Sequence, residues 1–101
     1  ISMAVKVLTW MKNNERINNK IDYIKYLDWI NIMSYDINGN WSISTGPNSP
    51  FKKGNITVDV SSVVDSVDNW KKIGFKNDQI NIGIPFYGRS LIALNEPSYS
   101  Q

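Results

Sequence analysis

Tyr35 and Asp36 stand together at the tip of one alternating run, Ile30-Asn31-Ile32-Met33-Ser34-Tyr35-Asp36. Tyr87 and Arg89 stand at the tip of a second, Ile80-Asn81-Ile82-Gly83-Ile84-Pro85-Phe86-Tyr87-Gly88-Arg89. These side chains offer two phenols, a carboxylate and a guanidinium. A carboxylate beside a centre of developing charge supplies preorganised electrostatics, and a guanidinium donates in a fixed fork without losing its charge. Met33 shares the strand phase of Tyr35, and Trp41 follows soon after with a flat aromatic face. The chain has neither histidine nor cysteine, which removes His and Cys metal ligands, disulfides and the Ser-His-Asp arrangement. No metal or organic cofactor is implied.

The elements that would position these groups are strands and helices in alternation. In a strand, successive side chains point to opposite faces. Ile30, Ile32 and Ser34 therefore share one face, and Asn31, Met33 and Tyr35 the other. Ile80, Ile82, Ile84 and Phe86 form the apolar face of the second run, which is expected to pack on helices. Strands are expected over about 1–5, 29–35 and 79–86. Ile17, Ile21, Ile24 and Leu27 recur at helical spacing and predict a helix over about 18–27. A second helix is expected over about 62–73. Ser62 and Asp65 form its capping box, Val60, Val63, Val64, Val67, Trp70 and Ile73 its apolar stripe, and Gly74 its C-terminal stop. Trp10 to Asn19 reads as loop. Residues 37–58 form a long connection rich in Gly, Pro, Asn and Ser, and loops of that length in compact domains are usually functional or disordered. Asn95-Glu96-Pro97 reads as a turn.

Strand, helix, strand, long loop, helix, strand is a parallel α/β order. Three strands cannot close a barrel and leave edges unpaired. The 101 residues, which open on Ile1, are thus read as a piece of a longer protein that would fold poorly alone. Hydrophobic content of 42% and charged content of 20% are those of a globular chain. A net charge of +2, with Lys spread along the chain, argues against nucleic acid as a partner. No apolar run is long enough to span a membrane. Asn40-Trp41-Ser42 and Asn55-Ile56-Thr57 match the N-glycosylation acceptor pattern, a weak pointer to secretion.

Leu27 to Asp36, followed by Gly39-Asn40-Trp41, resembles the sixth strand of the chitinases of glycoside hydrolase family 18. Gly46 and Asn48-Ser49-Pro50-Phe51 resemble the loop that follows it, and Val63 to Trp70 the next helix. Ile82 to Ser90 resembles the seventh strand, where the family enters a small inserted α+β subdomain. Ile1 to Val5 would be strand five. The resemblance implies an α/β fold that is part of a TIM (β/α)8 barrel, where chemistry sits at the C-terminal strand ends.

It also implies a function: retaining hydrolysis of β-1,4-linked N-acetylglucosamine polymers, with the substrate's own N-acetyl carbonyl as nucleophile. Tyr35 would orient that carbonyl, and Asp36 would join the acidic network around the general acid and the oxazolinium. Met33 would line the floor under the sugar, Tyr87 and Arg89 would hold the sugar, and Trp41 would stack on it. The parent protein would be a secreted monomer acting on chitin or its oligomers, with no nucleic-acid or membrane partner.

Three departures stand out. The family's strand-four motif, Asp-x-x-Asp-x-Asp-x-Glu with the acid, is absent, so these residues alone should not hydrolyse chitin. Val5-Lys6-Val7 replaces the Pro-Ala-Gly often seen after strand five. Asn38 stands where many members carry His or another residue before the Gly, and Pro47 where many carry His. A non-catalytic chitin-binding lectin on the same barrel is the alternative reading.

Overall fold

The computed structural model describes residues 1–54 and 61–94. The Asn55 acceptor pattern, Val60, the Asn95-Glu96-Pro97 turn and the entry to an inserted subdomain lie outside the described residues. The described residues form five strands and one α-helix: β1 (Ser2–Lys6), β2 (Met11–Lys12), β3 (Glu15–Arg16), β4 (Trp29–Met33), α1 (Val63–Lys72) and β5 (Ile80–Ile82). Short 3-10 turns cover Asp22–Tyr26 and Asn77–Gln79.

β1, β4 and β5 form a parallel sheet in that order. Val5 faces Ile32 across the first pair, and Ile30 faces Ile80 across the second. Parallel neighbours need long crossovers. The first is made by the β2–β3 hairpin and the 3-10 turn, and the second by the long loop and α1.

The alternation in β4 places Ile30, Ile32 and Ser34 in the interior, each at most 1% exposed. Val5, Ile17, Trp70, Ile73 and Phe75 join the two isoleucines in one core. Trp10 belongs to it as well, edge-on to Trp70 with ring centroids 5.0 Å apart. Burying side chains of this size contributes about 1.5–3 kcal/mol each. Trp29, in the opposite phase, is partly open to solvent.

Helix α1 starts as its sequence dictates. The Ser62 hydroxyl accepts from the Asp65 amide, and the Asp65 carboxylate accepts from the Ser62 amide in return. The first helical amides, which have no partner within the helix, donate to loop carbonyls: Val63 to Pro50 and Val64 to Phe51. Polar bonds then dock the helix on β1. Trp70 Nε1 donates to the Lys6 carbonyl at 3.0 Å, and Ser66 Oγ to the Val7 carbonyl at 2.7 Å.

Three expectations are corrected. The helix expected over 18–27 is a five-residue 3-10 turn, although Ile21, Ile24 and Leu27 do face the core. Asn18, Asn19, Asp22 and the β-branched isoleucines are poor helix formers, and apolar spacing alone does not compensate. The loop expected from Trp10 to Asn19 contains the β2–β3 hairpin, turned by Asn13 and Asn14 at φ +51° and +63°. Asn tolerates that left-handed backbone, which two-residue hairpins require. The strand expected over 79–86 pairs only over Ile80–Ile82, and its apolar face is largely uncovered: Ile84 is 70% and Phe86 99% exposed. Helix α1 packs over β1 and β4, and no described element lies across the outer edge of β5.

Candidate active site

The C-terminal ends of β1 and β4 open into a cleft of about 570 Å³. Met33, Tyr35 and Asp36 line it together with Lys6, Val7 and Leu8. Beyond β5 the chain returns along the same end of the sheet, bringing Tyr87 and Arg89 to Asp36 from 51 and 53 residues away.

Two contacts hold those ends together. Ser34 Oγ donates to the Gly83 carbonyl at 2.7 Å, and the Gly83 amide donates to the Ile32 carbonyl at 2.8 Å. Gly83 must be small here, because a Cβ would lie 2.7 Å from the Ile32 carbonyl oxygen and 3.0 Å from the Tyr35 ring.

Asp36 sits at φ +56°, in the left-handed region that Asp tolerates better than most residues. Its Oδ1 accepts from Tyr87 Oη at 2.6 Å, from Arg89 Nη2 at 2.6 Å and from Arg89 Nε at 3.0 Å. The Tyr87 hydrogen bond and then the Arg89 fork hold the carboxyl below the usual carboxylate range. The same bond to Asp36 pushes the Tyr87 phenol up. Asp36 is thus an anion at neutral pH, suited to stabilising positive charge and unsuited to donating a proton.

Arg89 also lies over Trp41, with its guanidinium carbon 4.9 Å from the ring centroid, and Trp41 rests against Gly39. Tyr35 and Tyr87 meet edge to face at 6.3 Å. The six sequence-predicted residues therefore fall into two overlapping groups. Met33, Tyr35 and Asp36 line the cleft, while Tyr87 and Arg89 turn their donors to the Asp36 carboxylate and Trp41 joins them through the Arg89 guanidinium over its ring. Arg89 keeps further N–H donors beyond the two used on Asp36.

Residues 46–50 close the site from behind. Asn48 Oδ1 accepts from the Asp36 amide at 2.8 Å, the Asn48 carbonyl accepts from the Ile37 amide, and Ser49 Oγ donates to the Ser34 carbonyl at 2.5 Å. Asn38 Nδ2 donates to the Pro47 carbonyl at 3.0 Å, so two positions that depart from the family pattern contact each other. Ser34 and these loop contacts carry no chemical signature of their own, and only the phase of Ser34 with Ile30 and Ile32 could have flagged its burial. Among the described residues no group of three or more His, Cys, Asp or Glu could hold a metal ion. No helix among them is long and apolar enough to cross a membrane.

Comparison with known proteins places the chain in a family. A chitinase from Rhizomucor miehei superposes with a TM-score of 0.75 at 27% identity, over 85% of this chain and 24% of its own. The match implies a fold derived from the TIM barrel. Endochitinase 1 of Metarhizium robertsii is 36% identical over 76 residues, which is 73% of this chain and 18% of its own length. Mouse oviduct-specific glycoprotein is 39% identical over 70 residues, 69% of this chain and 9% of its own length. The chain thus spans less than a fifth of these two relatives. The profile of the glycosyl hydrolases of family 18 matches residues 2–101, and with parallel strands whose C-terminal ends converge on one carboxylate, the chain belongs to that family.

Proposed function

We propose that this chain forms one wall of the catalytic cleft of a chitinase, hydrolysing β-1,4-linked N-acetylglucosamine polymers by a retaining, substrate-assisted route. The observation that carries the reading is the convergence of Tyr87 and Arg89 on one oxygen of Asp36 beside a cleft lined by Tyr35 and Met33. The strand ends would correspond to barrel strands five, six and seven.

Each residue has a task its geometry allows. Tyr35, at the cleft wall, directs its phenol to the substrate's acetamido group and holds the carbonyl oxygen in line with the anomeric carbon. Much of the barrier reduction in such a reaction comes from that near-attack placement. Asp36, held ionised by Tyr87 and Arg89, stabilises the positive charge that develops as the acetamido oxygen attacks. The proton for the departing sugar oxygen comes from a carboxylic acid that these residues do not include, because Asp36 is held in its anionic form. Trp41 presents an aromatic face to a neighbouring sugar, and Met33 lines the floor beneath the reacting one. Chitin or its oligomers are the substrate, and the whole protein is secreted and monomeric.

The test uses the whole protein. Tyr35→Phe and Asp36→Asn should each lower kcat on chitin oligomers by roughly 100-fold or more, with the fold kept. Unchanged turnover in both would refute the site. A lectin that binds chitin without cleaving it is the second reading, favoured by relatives named as oviduct-specific glycoproteins rather than as hydrolases. Binding of oligomers without turnover by the native protein would select it.

A further inference from the structure

Asn38 is a buried polar side chain, 6% exposed, inside a loop whose tip at 43–45 is open to solvent. The ends of that loop are joined where the Ile37 amide donates to the Asn48 carbonyl at 3.1 Å. Compact loops with paired ends, packed by their own side chains, are frequently functional. Here the packing side chain is Asn38, which reaches both limbs of the loop. Its Nδ2 donates to the Pro47 carbonyl at 3.0 Å, and its Oδ1 accepts from Ser42 Oγ at 3.4 Å. A carbonyl only accepts, so the Pro47 bond fixes which end of the amide is nitrogen. Gly46 leaves room for it, since a Cβ there would lie 2.5 Å from Nδ2. Ser42 Oγ accepts in turn from the Gly39 amide at 3.1 Å, and the Ser42 amide donates to the Gly39 carbonyl at 2.9 Å. Residues 39–42 are thereby closed into a turn with Asn40 and Trp41 at its corner.

We propose that Asn38 is a positioning residue that fixes Trp41 as a stacking platform and, through it, seats the Arg89 guanidinium. The Trp41 ring is exposed, and the Arg89 guanidinium carbon lies 4.9 Å from its centroid. Arg89 uses its Nε and Nη2 edge on Asp36 and its flat face on the ring, and a planar guanidinium makes both contacts at once. That arrangement needs the ring to stand at one place. An exposed ring on a free loop must be ordered when a ligand arrives, whereas a ring on a pinned turn is ordered in advance. The Asn38 amide supplies the pin, because it ties the Trp41 turn to the returning limb of the loop at Pro47. The stacking role rests on the chitinase reading above; the placement of Trp41 and Arg89 does not.

The test is a double-mutant cycle in the whole protein with two readouts. The first is the NMR signal of the Arg89 Nε–H proton, which the current of the Trp41 ring displaces upfield. Trp41→Ala should abolish that displacement, and Asn38→Ala should remove about half of it or more. An unchanged Arg89 signal in Asn38→Ala would overturn the proposal. The second readout is affinity for chitin oligomers, taken as KM, or as Kd if the native protein binds without cleaving. Asn38→Ala should weaken it by about 5- to 10-fold, with a smaller fall in any kcat, and should add little in a Trp41→Ala background. Additive losses would mean that Asn38 supports the fold alone, and would also overturn the proposal. Ser42→Ala breaks the same turn from its half-buried end, and replaces Asn38→Ala with the same expectations if that variant does not fold. If the native protein neither binds nor cleaves chitin oligomers, the chitinase reading fails, and the Arg89 signal still decides whether Asn38 places Trp41.

Discussion

The Ser34 hydroxyl donates to the Gly83 carbonyl oxygen across 49 residues of chain, at 2.7 Å, from a side chain with no exposed surface. This bond ties the end of β4 to the segment leaving β5. Tyr35 and Asp36 begin one residue beyond Ser34, and Tyr87 and Arg89 lie a short way beyond Gly83. A contact in the interior therefore sets the spacing of the groups in the cleft.

Ser34→Ala should destabilise the protein by about 1–2 kcal/mol, because the Gly83 carbonyl loses its side-chain donor. Denaturant unfolding measures this directly. A midpoint equal to that of the native protein would show that the staple is dispensable.

Gly83→Ala should be more damaging to the site than its size suggests. The new methyl meets a backbone oxygen, which cannot rotate away. We expect about 1–3 kcal/mol of overpacking cost and a displacement of the Tyr87 segment from Asp36. The upward return of the Asp36 titration midpoint toward the ordinary carboxylate range reports that displacement.

The pH dependence follows from the sign of the Asp36 shift. Its folded pKa lies below its unfolded one, near 3.9, so its contribution to stability is complete above that value. It is lost as pH falls through the lowered folded pKa. At about pH 4 the carboxyl signal should report more of the anion than an ordinary aspartate does, and Arg89→Lys, which gives up the fork, should move the midpoint up. An identical midpoint in the lysine variant would remove Arg89 from the cause. Because the cluster is open to solvent, added salt should weaken the effect.

Ser62→Ala should cost about 1 kcal/mol, within the usual range for a lost N-cap. Asp65, held low by the Ser62 hydroxyl and amide, should then titrate closer to an ordinary carboxylate. An unshifted Asp65 would contradict the capping box.

Local rules made some of this legible in the sequence. The capping box at Ser62 and Asp65 and the alternation of Ile30 and Ile32 are short-range patterns with one reading each. The apolar run from Ile80 to Phe86 obeyed the same rule and misled, because alternation tells which side chains share a face and not whether anything covers it. Ile17 to Leu27 has helical spacing but a composition that favours turns, and the core accepted those side chains from a 3-10 turn. Asn13-Asn14 carried the hairpin signal, though the flanking strands, two residues each, are too short for periodicity to show. The meeting of Asp36 with Tyr87 and Arg89 spans half the chain, so no local pattern contains it, and only resemblance to a family placed those residues together. Asn48 was visible as part of a motif, without its bond to the Asp36 amide.

The left-handed backbone at Asp36 also bears on how this surface can evolve. Most side chains are disfavoured there by about 1 kcal/mol, whereas asparagine is tolerated almost as well as aspartate. Exchange of Asp36 for Asn gives up the charge and the ion pair with Arg89 but leaves the turn intact, so drift from a cleft that acts on its ligand to one that only holds it meets no backbone barrier at this position.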